Sequence, residues 1–429
     1  MMLLLLAALA GPPVSRADSL PRITLAEALS RSARLDPNYV RALGQVDNAA
    51  WARRAARSAM VLPSLSVSTD YSSFSRPQFN VGIGAQAKTS ATARVDARFE
   101  LFTGFRKLAD VSRANADLES ARAGEEQQRF LTALNTEADF YAVLSNRELL
   151  DVSGDRLRRA EEQLIVARAR VMSGAAVQTD SLQLVLELSR ARIALLQDEA
   201  RLRVARLLLG RRVGTPGGVD AVPLDTARAA DLPLTLPEAM RLALEQGPEY
   251  RVARANQRGA EASVRSARGR YFPQAVLSAN SSSFGDRFYP DGLSRSTVTL
   301  AVSLPLWDNV QRELALSRAR TARDLARATR EDLERVAEAD VTEAWEAYQT
   351  ARATADYSSQ GLIVARETFR VQEARYRAGA STILELLDAQ SALTQAQAEL
   401  VQARYAARLA LAGLEAILGR RLFSDKDPS

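Results

Sequence analysis

Apolar positions recur every seven residues through two long stretches of the chain. Val143, Leu150, Leu157, Leu164 and Val171 form one stripe, and Tyr348, Ala355, Leu362, Phe369 and Tyr376 repeat it 205 residues later. A seven-residue apolar spacing predicts coiled-coil packing. No proline falls between Pro77 and Pro216 or between Pro305 and Pro428, and both gaps are rich in Ala, Leu, Arg, Glu and Gln, strong helix formers. Long helices are therefore expected over about 106–172 and 310–377. At 1.5 Å per residue, each would extend roughly 100 Å. An amphipathic helix on an ordinary core fits the stripe but not that length. Return helices are expected over about 177–210 and 381–418. Gly174 and Gly379 then fall in tight helix–helix turns, where the backbone needs positive φ.

A period of two precedes each long helix. Ala91, Ala93, Val95, Ala97, Phe99 and Leu101 alternate with Thr92, Arg94, Asp96, Arg98 and Glu100. Val298, Leu300, Val302, Leu304 and Leu306 alternate with polar or small residues in the same way. Alternation predicts strands with one apolar face. Their partners are Leu65–Thr69 and Ala275–Ala279, which places hairpins at about 63–102 and 273–306. Such strands could cover a soluble core or line a membrane barrel with a polar lumen. Aromatics near the strand ends, among them Tyr71, Phe102, Tyr271, Phe288, Tyr289 and Trp307, suit interfacial girdles.

Both textures belong to an internal duplication. Leu25, Glu27, Ala28, Pro37 and Tyr39 recur as Leu236, Glu238, Ala239, Pro248 and Tyr250, each 211 residues on. Leu209–Arg212 recurs as Leu418–Arg421, 209 on. The span from Phe102 to Gly174 equals that from Trp307 to Gly379, so the length itself is a working dimension. The expected organisation is a first repeat over 18–212, a linker over 213–234, a second repeat over 235–421 and a tail over 422–429.

Composition removes several chemistries. The chain has no cysteine and no histidine. Thiol nucleophiles and thiolate metal sites are excluded, and the commonest general base and metal ligand are missing. No carboxylate pair is tied to a pocket-forming pattern, so no enzymatic activity, metal or cofactor is expected. The net charge is +6, and 54 of the 57 basic residues are arginine, interspersed with acids along the helices. That is the pattern of a solvated helix face rather than a nucleic-acid surface. Met1–Ala10 is an apolar run too short to span a bilayer, followed by Ser15-Arg16-Ala17. This reads as a secretory signal peptide over 1–17, although its start lacks a lysine or arginine. Export favours the barrel reading of the hairpins. Four strands cannot close a barrel, and an open edge cannot stand in lipid, so protomers would have to pool strands in a closed ring. The competing reading is a secreted coiled-coil structural or adhesion protein.

Specific motifs now add to this. Leu101-Phe102-Thr103-Gly104, Leu304-Pro305-Leu306-Trp307 and above all Tyr376–Ala389 (YRAGASTILELLDA) resemble the bacterial outer-membrane efflux proteins, the TolC-like channel-tunnels. The resemblance covers essentially the whole mature chain. It implies a mainly α fold with a β-barrel portion. In it, a homotrimer gives four strands per protomer to a 12-stranded barrel and long helices to a periplasmic tunnel. It implies a passive outer-membrane exit duct, of a tripartite efflux or type I secretion system, whose tips dock a periplasmic adaptor linked to an inner-membrane pump. The docking residues would be Ser173, Gly174, Ala175, Ala378, Gly379 and Ala380. The entrance would be lined by Glu385, Asp388 and Asp180; three-fold symmetry makes rings of such carboxylates, which favour cations. The family's entrance latch pairs a tyrosine with an arginine. Tyr376 matches the tyrosine, whereas Ser381 stands where the arginine would be, so the entrance would be held differently here.

Overall fold

The computed structural model describes residues 20–224, 231–287 and 293–423. The expected signal peptide, Phe288, Tyr289 and most of the tail over 422–429 lie outside them. In chain order the elements are β1 (Arg22–Ile23), α1 (Leu25–Leu35), α2 (Pro37–Val61), β2 (Ser64–Asn80), β3 (Ala85–Phe102), α3 (Arg106–Met172) and α4 (Gln178–Arg212). β4 (Asp220–Ala221), α5 (Leu236–Gln246), α6 (Pro248–Gly269), β5 (Gln274–Gly285), β6 (Ser294–Ser303), α7 (Gln311–Arg377) and α8 (Ile383–Leu418) follow. α3 and α7 each contain 67 residues. Among the described residues, no helix is long and apolar enough to cross a membrane.

The chain divides into two compact units. One takes the described residues of Met1–Asp36, Leu131–Asp231 and Glu346–Gly413. Its heptad stripes are buried seams: Leu164, Phe369 and Tyr376 pack with Leu184, Leu188 and Leu386. Alanines 160, 167 and 191 are fully buried in the same cluster and permit close helix approach. A second cluster gathers Phe140, Val143 and Leu144 of α3 against Leu202 and Leu209 of α4 and Tyr405 of α8. The parallel pair β1–β4 borders it. Asp220 of β4 accepts from Arg206 Nε at 3.3 Å and pairs with Arg147.

The other unit holds Pro37–Phe130, Leu232–Trp345 and the described residues of Leu414–Ser429. It contains a four-stranded antiparallel sheet in the order β2-β3-β5-β6. The two hairpins are joined at one end by Asn80. Its amide donates to the carbonyls of Thr89 and Gly285 at 3.0 and 2.9 Å, and its side-chain oxygen accepts from the Gly82 N–H. Any Cβ at Gly82 would lie 2.4 Å from the Phe284 backbone, so glycine is required there.

Each strand-to-helix joint is built twice from equivalent residues 205 apart. Gly104 and Phe105 take φ of +64 and +66°, and Asn309 and Val310 take +53 and +63°. For Phe105 and Val310 this is strained backbone. After each joint a cation reaches back to a strand-end carbonyl. Lys107 Nζ donates to Glu100 at 2.7 Å, and Arg312 Nη1 donates to Pro305 at 2.9 Å. Thr103 and Asp308 accept the corresponding backbone N–H groups of Lys107 and Arg312.

Candidate functional site

Two regions carry the functional geometry, one in each unit. The first comprises the helix-to-helix turns. Gly174 and Gly379 both have φ of +76°. In the first turn, the N–H of Gly174 donates to Val171 and that of Ala175 to Arg170 at 3.1 and 2.8 Å. In the second, Gly379 donates to Tyr376 and Ala380 to Arg375 at 3.0 and 2.8 Å. Both are Schellman closures, in which a left-handed residue lets the chain satisfy carbonyls the helix leaves open. Ser173, Gly174, Ala175, Ala378, Gly379 and Ala380 are all solvent-exposed. Nothing lies within 4 Å of a Cβ built at Gly174, so its backbone conformation, not crowding, demands glycine.

Tyr376 is the anchor of this region. Only 2% of it is exposed. The Arg170 guanidinium sits 4.6 Å from its ring centroid and donates to its carbonyl. Burial pushes the Tyr376 hydroxyl pKa up, the nearby Asp180 carboxylate adds to this, and Arg170 opposes it. Of the expected entrance residues, the structure thus brings Tyr376 and Asp180 within electrostatic reach. The Ser381 hydroxyl is buried with no hydrogen-bond partner among the described residues, and so is that of Tyr376. Glu385 and Asp388 lie exposed on the first turns of α8, three residues apart and hence on one helix face. Glu385 also has a local role. Its N–H donates to Thr382 Oγ1 at 3.3 Å, which caps α8.

Arg170 is the residue that the sequence reading missed. Its signal was the repeat, because Arg170 and Arg375 stand 205 apart. Both close their own turns: Arg170 donates to Ala175 at 3.4 Å and Arg375 to Ala380 at 3.3 Å. Arg170 alone also grips Tyr376. Position 381 carries a serine, and the arginine that contacts Tyr376 comes from the first turn.

The second region is the sheet. Directly paired residues share a face. Leu65 pairs with Ala97, Ala97 with Ala279 and Ala279 with Val298. Phe99 pairs with Leu277, and Leu277 with Leu300. The Leu65–Val298 row is apolar across all four strands and open to the surroundings, with Val298 at 72% exposure, and the next row runs Val67, Val95, Ser281 and Ser296. The opposite face is polar: Ser66, Asp96, Asn280 and Thr297 form one row, and Ser68, Arg94, Ser282 and Arg295 the next. The outer edges of β2 and β6 have no partner strand among the described residues.

A duplicated hairpin-and-long-helix chain with a two-faced, open-edged sheet defines the channel-tunnel class of fold. The solved structure of CusC shares it, with a TM-score of 0.79 over 94% of this chain and 93% of that one at 17% identity. The chain belongs to the outer membrane efflux protein family, whose model matches residues 39–215 and 239–420. Among its relatives is the pyoverdine export outer membrane protein OpmQ of Pseudomonas putida, 28% identical over 79% of this chain and 71% of the relative. OpmQ of Pseudomonas aeruginosa is 29% identical over 79% and 72%.

Proposed function

We propose that the protein is a passive outer-membrane exit duct that works as a homotrimer. The observation that carries this is the sheet, with an exposed apolar face in its Leu65–Val298 and Phe99–Leu300 rows, a polar reverse and two edges unpaired among the described residues. An apolar face exposed to this degree needs lipid or a partner. Free edges need neighbouring strands, because lipid cannot satisfy their N–H and C=O groups. Three copies of the four strands supply a closed barrel of twelve, an even number within the range of membrane barrels. The polar faces then line a water-filled lumen. The long helices continue the duct into the periplasm, and energy comes from an inner-membrane pump. Purified protein is expected to form ion-conducting pores in planar lipid bilayers. Bilayers that stay silent with folded oligomer present would return the protein to the coiled-coil structural reading.

The exposed turns around Gly174 and Gly379 are the docking surface for a periplasmic adaptor in this reading. Rigid helices present them, and surface turns on rigid scaffolds commonly carry binding. Glu385, Asp388 and Asp180 form the entrance carboxylates, with Tyr376 held by Arg170. Because the chain has no cysteine, Ala380→Cys creates a single labelling site. A crosslinker at that position is expected to capture one periplasmic protein in cells. Labelling that yields only copies of this chain argues against docking there.

A further inference from the structure

The polar face of the sheet does not carry balanced charge. Along the paired rows, every charged side chain falls on this face and none on the apolar one. Arg94 and Arg98 of β3 and Arg295 of β6 lie on it, and alternation along β3 adds Lys88. All four are exposed, and none makes an ion pair among the described residues. Against them stand Asp70 and Asp96. A third acid, Glu100, is neutralised by Arg106 at 3.8 Å. The basic groups are also concentrated, since Arg94 and Arg295 share one row with only Ser282 between them. Arg94 Nε donates to the Ser282 hydroxyl at 3.4 Å, which holds the guanidinium against the wall.

We infer that this face is an anion-selecting lining at the barrel end of the duct, with the Arg94–Arg295 row as its strongest layer. The inference rests on the duct reading above. In a closed barrel each protomer repeats the row, so a solute meets a complete girdle of guanidinium groups. A water-filled lumen walled by lipid focuses such a field and concentrates counter-ions. Neighbouring rows are about 7 Å apart along the strands, close to the ~8 Å screening length of physiological salt. The single Asp96 row therefore offsets only part of the two arginine rows that flank it. Guanidinium groups donate in a planar fork that matches carboxylates and phosphates, so the solutes favoured here are small organic anions. The carboxylates assigned to the entrance have the opposite preference. The lining would disfavour re-entry of cations that have left.

The test is the zero-current potential of full-length protein in planar bilayers under a potassium chloride gradient. Glu385→Gln with Asp388→Asn and Asp180→Asn is the parent, so that entrance charge does not mask the barrel. The parent is expected to prefer chloride. Adding Arg94→Gln and Arg295→Gln should move the potential toward the cation side, and Arg94→Lys with Arg295→Lys should restore it. Pores whose potential is the same in the parent and the glutamine variant would overturn the lining. The same holds for a parent that already prefers potassium. A parent that forms no pores at all would overturn the duct reading instead.

Discussion

Tyr376→Ala is expected to loosen both helix turns, whereas Tyr376→Phe leaves them as firm or firmer. The ring is buried in the cluster that joins α3, α4, α7 and α8 and packs under the Arg170 guanidinium. Truncating a buried aromatic residue to alanine costs about 3–5 kcal/mol. The cation–π contact accounts for roughly 0.5–2 kcal/mol of what is lost. The hydroxyl contributes with the opposite sign. It is buried with no geometric hydrogen bond among the described residues, Arg170 being its nearest polar neighbour, and leaving such a group unsatisfied costs about 1–3 kcal/mol. Phenylalanine keeps the ring and removes that cost. Because the tyrosine pKa lies above its ordinary value, the hydroxyl stays protonated at neutral pH and the comparison holds across the physiological range. Hydrogen exchange of the last turns of α3 and α7 reads the effect directly. Protection there should fall by about a hundredfold or more in the alanine variant, which is what 3–5 kcal/mol implies. In the phenylalanine variant it should hold or rise. Equal loss in both would mean that the hydroxyl, not the ring, holds the turns.

The long-range plan of the fold was legible in the sequence because it rests on periodicity. The helical stretches stand out through heptads and missing prolines, and the strands through an alternation in which every second residue is apolar. The register follows from the same alternation: a one-residue slip would turn Val95 and Leu300 into the polar face and Arg94 and Thr299 out of it. What stayed hidden depends on contacts between residues distant in sequence. The two-residue pair β1–β4 is too short to leave a pattern and is held by Arg147 and Arg206 on Asp220. The partnership of β3 with β5, which joins the two repeats into one sheet, needs the Asn80 clamp and the Gly82 approach to Phe284, neither of which has a local signature. Of the candidate site, the turns were legible through Gly174 and Gly379, where only a left-handed residue closes the helix. Arg170 was marked only by its repeat partner Arg375, and one arginine among 54 shows what it contacts only once the tyrosine it covers is placed. The strain at Phe105 and Val310 was equally hidden. A β-branched residue with positive φ runs against local propensity, and only its repeat partner shows that the joint demands it.

Adjacent residues of β6 provide the strongest test of which face meets lipid. Leu300→Arg is expected to abolish assembly into the outer membrane, and Thr299→Arg to be tolerated. Leu300 pairs with Leu277, which pairs with Phe99, and the row lies on the exposed apolar face. Thr299 points to the other side, in the row of Ser278 and Arg98, where a guanidinium is already present. An arginine on the lipid face near the bilayer midplane costs about 2–4 kcal/mol. The proposed closed trimer would repeat the substitution in each protomer, so the assembled barrel would lose roughly 6–12 kcal/mol, comparable to the whole stability of a typical domain. At Thr299 the new charge stands in water, and its main effect is on the ion preference of the lumen. The fraction of protein recovered as oligomer from the outer membrane reads the difference. If the soluble-core reading were correct, the Leu300 row would pack on the rest of the protein, and the unsubstituted chain itself would be recovered outside the membrane rather than as outer-membrane oligomer. Two arginines introduced one residue apart are therefore expected to give opposite results, and outer-membrane oligomer that is present in the unsubstituted chain, kept with Thr299→Arg and lost with Leu300→Arg identifies the face in contact with lipid.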